Sequence, residues 1–113
     1  MLVSCIFCKI VAGEIPAQVL ERTDDLLVFK DINPMAPEHI LVIPREHIED
    51  LTNLQGKGEL AATLLEKCAE MGSRLGGTSG YRVVTNTGKD GGQTVGHLHF
   101  HVLAGRSLGW PPG

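Results

Sequence analysis

Basic charge is scarce in this chain. Ten Lys and Arg face thirteen Asp and Glu, a formal net charge of −3, so the sequence offers no basic face of the kind nucleic acid demands. A single mononucleotide is a different case, because a few local donors can hold one phosphate. Cysteine is sparse and odd in number, at three, with no secretory start, which argues against a disulfide framework. No long apolar run is present either. The stretch from Cys5 to Ala12 is broken by Lys9 and is too short to span a bilayer. A cytoplasmic, reducing compartment is the expectation, with no membrane partner. Internal repeats, low-complexity tracts and linkers are also missing. The 113 residues therefore read as one domain over 1–113, whose modest core would gain from a partner subunit.

What is there alternates between short strands and one long helix. Ser4 can cap a short helix across Cys5 to Ala12, stopped by Gly13 and Pro16. Strand-like runs follow at Gln18 to Glu21 and Leu26 to Phe29, with the polar turn Arg22-Thr23-Asp24-Asp25 between them. After the proline-rich turn Asn33 to Pro37 comes the apolar run His39 to Ile43, ended by Pro44. Leu60, Leu64, Cys68, Met71 and Leu75 then recur at helical spacing between about Gly58 and Leu75, before Gly76-Gly77. A strand from Tyr81 to Asn86 leads into a glycine-rich loop, and a last strand is expected from His97 to Leu103. Strands on both sides of one long helix indicate α+β, a mostly antiparallel sheet with helix on a face.

The last strand concentrates the chemistry. Strand alternation would put His97, His99 and His101 on one face, with Leu98, Phe100 and Val102 on the other, against the helix. Three imidazoles side by side resist becoming charged together, so they stay neutral at pH 7, share protons or bind metal. A neutral imidazole nitrogen is a competent nucleophile toward phosphorus, and its neighbours can fix its tautomer and move a proton. Zinc chelation by His-x-His is the rival. Gly91-Gly92-Gln93-Thr94, directly before the cluster, can turn backbone N–H groups and a hydroxyl toward a phosphate and so favours the nucleophile. Cys5-Ile6-Phe7-Cys8 has the spacing of half a zinc site, and equally that of two packing cysteines on a short helix. Cys68 lies on the apolar stripe and reads as core.

Asp31-Ile32-Asn33-Pro34, Pro37-x-His39-x-Leu41-Val42-Ile43-Pro44 and Gly91-Gly92-Gln93-Thr94-Val95-x-His97-x-His99-x-His101-Val102-Leu103 together resemble the histidine triad (HIT) family. The ending, Gly105-Arg106 through Trp110-Pro111-Pro112-Gly113, is similar to its Hint branch, the purine nucleoside phosphoramidases. The resemblance implies an α+β homodimer whose two five-stranded sheets join into one. It also implies cleavage of adenosine-type 5′-phosphoramidates through a nucleotidyl-histidine on His99, with His97, His101 and His39 around it. By the same resemblance, Asn86, Gly92, Gln93, Thr94 and Val95 would lie by the phosphate, and Asp31 and Ile32 by the ribose. Ile6, Phe7, Ile10 and Phe29 would wall the purine.

No cofactor is required for that chemistry. Some bacterial members imply a structural zinc on Cys5, Cys8, His47 and His97. Gly96 and Gly109 stand where Hint-branch members commonly carry tyrosine and, in animals, histidine, which would open the site near the leaving group. The alternatives are dinucleoside polyphosphate hydrolysis, a nucleotide-binding regulatory module and a zinc enzyme. Pro111 and Pro112 require an extended tail, and the lone Trp110 on it is expected to anchor an interface.

Overall fold

The computed structural model describes residues 5–112. Its order is α1 (Ile6–Val11), β1 (Val19–Arg22), β2 (Leu26–Lys30), β3 (Glu38–Pro44), α2 (Gly58–Gly76), β4 (Tyr81–Val84) and β5 (Phe100–Ala104), with 3-10 turns at Leu51–Leu54 and Gly77–Ser79. The strands form one five-stranded sheet in the order β1-β2-β3-β5-β4, and every neighbouring pair is antiparallel. This is the expected α+β arrangement with one long and one short helix.

The middle strands are apolar on both faces because both faces are covered. Leu26 and Val28 of β2, Ile40 and Val42 of β3, and Phe100 and Val102 of β5 pack with Leu64, Cys68 and Met71 of α2. The intervening Leu27, Phe29, Leu41 and Ile43 pack with Phe7 and Ile10 of α1. Alternation thus sorts a continuous apolar run into two cores, the pattern of a doubly covered sheet. At the edge of the helix face, the Tyr81 ring lies across Gly72, where any Cβ would collide with it.

Two expectations are corrected. The last ladder begins at Phe100 rather than His97, and β4 ends at Val84 rather than Asn86. His97 is pulled out of the ladder by its own side-chain partners, and the Leu98 N–H donates to Ile48 O at 2.6 Å instead of to a strand. The alternation nevertheless survives, since Leu98, Phe100 and Val102 all enter the α2 core. Ser4 lies outside the described residues; the side chain seen capping α1 is Cys5, whose Sγ accepts from the Cys8 N–H at 3.3 Å.

Candidate active site and metal site

Register places the imidazoles. In the β3–β5 ladder Leu41 faces His101 and His39 faces Leu103, so His39, Leu41 and His101 share the α1 side of the sheet. His39, His97 and His99 are buried. The ring of Phe7 from α1 stands edge-on to His99, with centroids 5.2 Å apart, and His99 in turn lies 5.0 Å from His101.

Backbone atoms fix each tautomer. The Met35 N–H donates to His39 Nδ1 at 3.0 Å, so the His39 proton resides on Nε2. From there it is donated to His101 Nδ1 at 2.9 Å, with Asp31 Oδ2 3.4 Å from the same nitrogen. His101 therefore keeps its own proton on Nε2. His99 Nδ1–H donates to the His97 carbonyl at 2.8 Å, which leaves its Nε2 with a free lone pair. Burial lowers His39, against a smaller opposing pull from Asp31. Burial, then His99 and His39, lower His101 to about 4. Both rings are accordingly neutral at pH 7.

A cleft of about 240 Å³ opens beside this array. Its walls include Ile6, Phe7, Ile10 and Phe29 on the apolar side, and Asp31, Ile32, Thr94, Val95, His99 and His101 on the other. Ala17, Lys30, Asn33 and Leu41 also line it. Leu41 and Asn33 belong to motifs legible in the sequence, though not as cleft residues; Ala17 and Lys30 carried no signal there. The Asp31 carboxylate is fixed at both oxygens, Oδ1 by the Asn33 N–H at 2.8 Å and Oδ2 by His39.

Asn86, Gly92 and Gln93 are not among the cleft residues. They build the loop that carries Thr94 and Val95. Gln93 Oε1 accepts from the Gly88 N–H at 2.9 Å, and its Nε2 donates to Glu49 O at 2.8 Å and Val95 O at 2.9 Å. Asn86 Nδ2 donates to Gly91 O at 2.7 Å. Gly92 turns the chain with φ +84°, and a Cβ at Gly91 would run into Thr87 O.

Behind the cleft, Cys5, Cys8, His47 and His97 bring one ligand atom each to within 4.8 Å of one another. Cys8 Sγ is 3.2 Å from His47 Nδ1 and 3.6 Å from His97 Nδ1, and Cys5 Sγ is 3.4 Å from His97 Nδ1. The His97 Nε2–H donates to Pro44 O at 2.9 Å, so the lone pair on Nδ1 is aimed at the thiols, as in a ligating histidine whose other ring nitrogen is held by a carbonyl. Burial, then Cys5, push the Cys8 thiol up to about 11; two adjacent thiolates need a cation to exist. The donor set fits zinc with four protein ligands, a closed structural site.

Asp31, His39 and His101 form a second group whose ligand atoms lie that close together, but its chemistry differs. A metal on His39 Nε2 would move the ring proton to Nδ1, against the Met35 N–H already pointing there. That bond disfavours a metal there, and the three side chains form a hydrogen-bonded array instead.

Among the described residues no helix is long and apolar enough to cross a membrane. The tail forms no helix or strand from Gly105 to Pro112, and Arg82 Nη2 holds it at Leu108 O (3.1 Å) and Gly109 O (2.7 Å). Trp110 is 84% exposed in the single chain.

Known proteins carry the same architecture. A HIT family hydrolase from Legionella pneumophila superposes with TM-score 0.91 at 43% identity, covering 97% of this chain and all of that one. A zinc-bound histidine triad family protein from Mycobacterium smegmatis matches with TM-score 0.77 at 33% identity, over 98% of this chain and 81% of the other. An uncharacterised HIT-like protein of Synechococcus elongatus is 49% identical over 109 residues, 96% of each chain. Residues 12–108 match the family described as the HIT domain, and this chain belongs to that family.

Proposed function

We propose that the chain is a hydrolase of purine nucleoside 5′-phosphoramidates acting through a nucleotidyl-histidine on His99. The observation that carries this reading is the His99 Nδ1–H to His97 carbonyl bond of 2.8 Å, which leaves Nε2 as the unprotonated nitrogen of a cleft-lining imidazole. The name of the Legionella relative, a HIT family hydrolase, supports hydrolysis. The base would lie between Ile6, Phe7, Ile10 and Phe29, the ribose by Asp31 and Ile32, and the phosphate by Thr94 and Val95, presented by the Asn86–Gln93 loop.

Two displacements make the reaction. His99 Nε2 attacks the α-phosphorus, an N–P bond forms, and the bond from phosphorus to the amine breaks. The His101 Nε2 proton goes to the leaving amine, while the His39 Nε2–H stays bonded to His101 Nδ1. The phosphorylated ring is cationic, and its Nδ1–H bond to the His97 carbonyl stabilises it. Water then attacks phosphorus and gives a proton to His101 Nε2, the N–P bond breaks, and nucleoside monophosphate leaves with His99 and His101 neutral again. No step needs a metal.

Zinc, held by Cys5, Cys8, His47 and His97, would fix α1 and hence the base wall. The zinc-bound relative from Mycobacterium smegmatis supports that assignment. Two reduced cysteines as ligands suit a reducing compartment such as the cytoplasm.

A homodimer through β4 fits the edges of the sheet. On this open strand Tyr81 and Val83 remain 39% and 38% exposed on the helix face. The opposite edge, β1, carries an irregular register between Val19 and Glu21 and a Glu21–Lys67 ion pair of 2.6 Å, features that discourage edge pairing. Turnover of adenosine 5′-phosphoramidate against diadenosine polyphosphates, followed by chromatography, tests the substrate class. Faster cleavage of the polyphosphates would displace the phosphoramidase reading.

A further inference from the structure

Arg106 lies outside the cleft, yet it grips the loop that sets the polarity of the imidazole relay. Its Nε and Nη2 both donate to the Met35 carbonyl, at 3.2 and 2.9 Å, while Nη1 donates to Ser107 O at 3.0 Å. The residue before it, Gly105, has φ +96° and passes so close to Pro37 that an added Cβ would sit 2.9 Å from the Pro37 Cβ. The segment leaving β5 is therefore laid directly on the turn from Asn33 to Pro37. That turn supplies the Met35 N–H bonded to His39 Nδ1.

We infer that Arg106 is a positioning residue for proton delivery, acting through the Met35 backbone on the tautomer of His39. The inference rests on the histidine reaction proposed above. With Met35 held in place, its N–H forbids a proton on His39 Nδ1. The His39 proton then stays on Nε2 and is donated to His101 Nδ1, and the His101 proton faces outward on Nε2. If the Met35 amide swings away, His39 can carry its proton on Nδ1 and accept from His101 Nδ1–H instead. The relay then runs backwards, and His101 Nε2 becomes an acceptor with nothing to give a leaving amine. The other groups around His39 do not prevent this. Asp31 Oδ2, 3.4 Å from His39 Nε2 and 4.0 Å from His101 Nδ1, adds only a long, weak contact to the same tautomer, so the Met35 N–H remains the stronger constraint.

A two-fork donor suits the role. Arginine reaches one carbonyl with two N–H groups in fixed geometry, whereas lysine offers a single mobile donor. The anchor is at the surface, so its removal threatens the loop geometry rather than the core.

Two measurements on the full-length chain test the inference. In Arg106→Ala, ¹⁵N-detected imidazole spectra should show His39 shifting from the pure Nε2–H form to a mixture of tautomers, with Arg106→Lys in between. Turnover of adenosine 5′-phosphoramidate, whose amine must be protonated, should fall about tenfold in kcat, a part of the roughly hundredfold or more that general acid catalysis supplies. The p-nitrophenyl ester of AMP, whose leaving group needs no proton, should lose less than about twofold. An unchanged His39 tautomer in Arg106→Ala, or equal losses on the two substrates, would overturn the inference. If the wild-type chain turns over neither substrate, the histidine reaction fails, and the tautomer spectra still decide whether Arg106 sets His39.

Discussion

His97 and His99 are two residues apart and face different tasks, joined by one hydrogen bond. The His97 carbonyl accepts the His99 Nδ1–H at 2.8 Å, while the His97 ring turns to Cys5 and Cys8 and anchors its Nε2–H on Pro44 O at 2.9 Å. The same residue thus fixes the tautomer of the proposed nucleophile with its backbone and completes the Cys5–Cys8–His47–His97 cluster with its side chain.

Replacing the nucleophile separates chemistry from binding. His99→Ala should abolish turnover while the dissociation constant for AMP, read by calorimetry, stays within about tenfold, roughly 1.4 kcal/mol. Affinity is shared by base, ribose and phosphate contacts, whereas attack needs this one ring. Turnover near the wild-type rate in the variant would remove His99 from the mechanism.

Much of this site could be read from residue types alone. The alternation of His97, His99 and His101 with Leu98, Phe100 and Val102 separates an imidazole face from a core face even where the ladder stops at Phe100. The stripe from Leu60 to Leu75 located α2 to within a residue. The rest was hidden because it is made of backbone atoms. Met35 N–H, Pro44 O and His97 O set three tautomers, and a main-chain group has no letter in a sequence. Gln93 was legible as part of the glycine-rich loop before the histidines, but not that its amide would be occupied by Gly88, Glu49 and Val95.

Stripping zinc from the proposed Cys5–Cys8–His47–His97 site should act on binding before chemistry. The six-residue α1 is too short to persist unaided, and among the described residues one hydrogen bond from another element reaches its backbone, Arg22 Nη1 to Val11 O at 3.3 Å. Chelation, or Cys8→Ala, should raise KM for adenosine 5′-phosphoramidate roughly tenfold, with kcat at saturation within about threefold, a loss of uniform binding. A folded, metal-free chain with no kcat, restored by zinc, would make this a zinc enzyme instead.

Acid should destabilise the fold through the relay. The folded chain holds His101 near 4 and His39 below its ordinary value, while the unfolded chain takes up these protons near pH 6.5. The unfolded state therefore binds more protons between those limits, and stability is complete above about pH 6.5 and declines toward pH 4. Urea unfolding at pH 7 and 4.5 should differ by on the order of 2 kcal/mol more in the wild type than in His101→Asn. Equal differences in the two proteins would mean that His101 is not held neutral.

A charge on the open edge should split the proposed dimer. Val83→Lys places an ammonium on the half-exposed helix face of β4, where a second copy would desolvate it. Sedimentation velocity at micromolar concentration should show a dimer for the wild type and a monomer for the variant. An unaltered dimer would put the interface elsewhere.

The covalent intermediate is the most direct test of all. Protein mixed with excess adenosine 5′-phosphoramidate and quenched within a turnover in alkaline denaturant, where a phosphohistidine bond survives, can be weighed intact by mass spectrometry and then mapped by peptide fragmentation. One AMP moiety per chain, located on His99 and missing from His99→Ala, is the expected result. Turnover with no adduct at any quench time, or an adduct on another residue, would contradict the nucleotidyl-histidine mechanism.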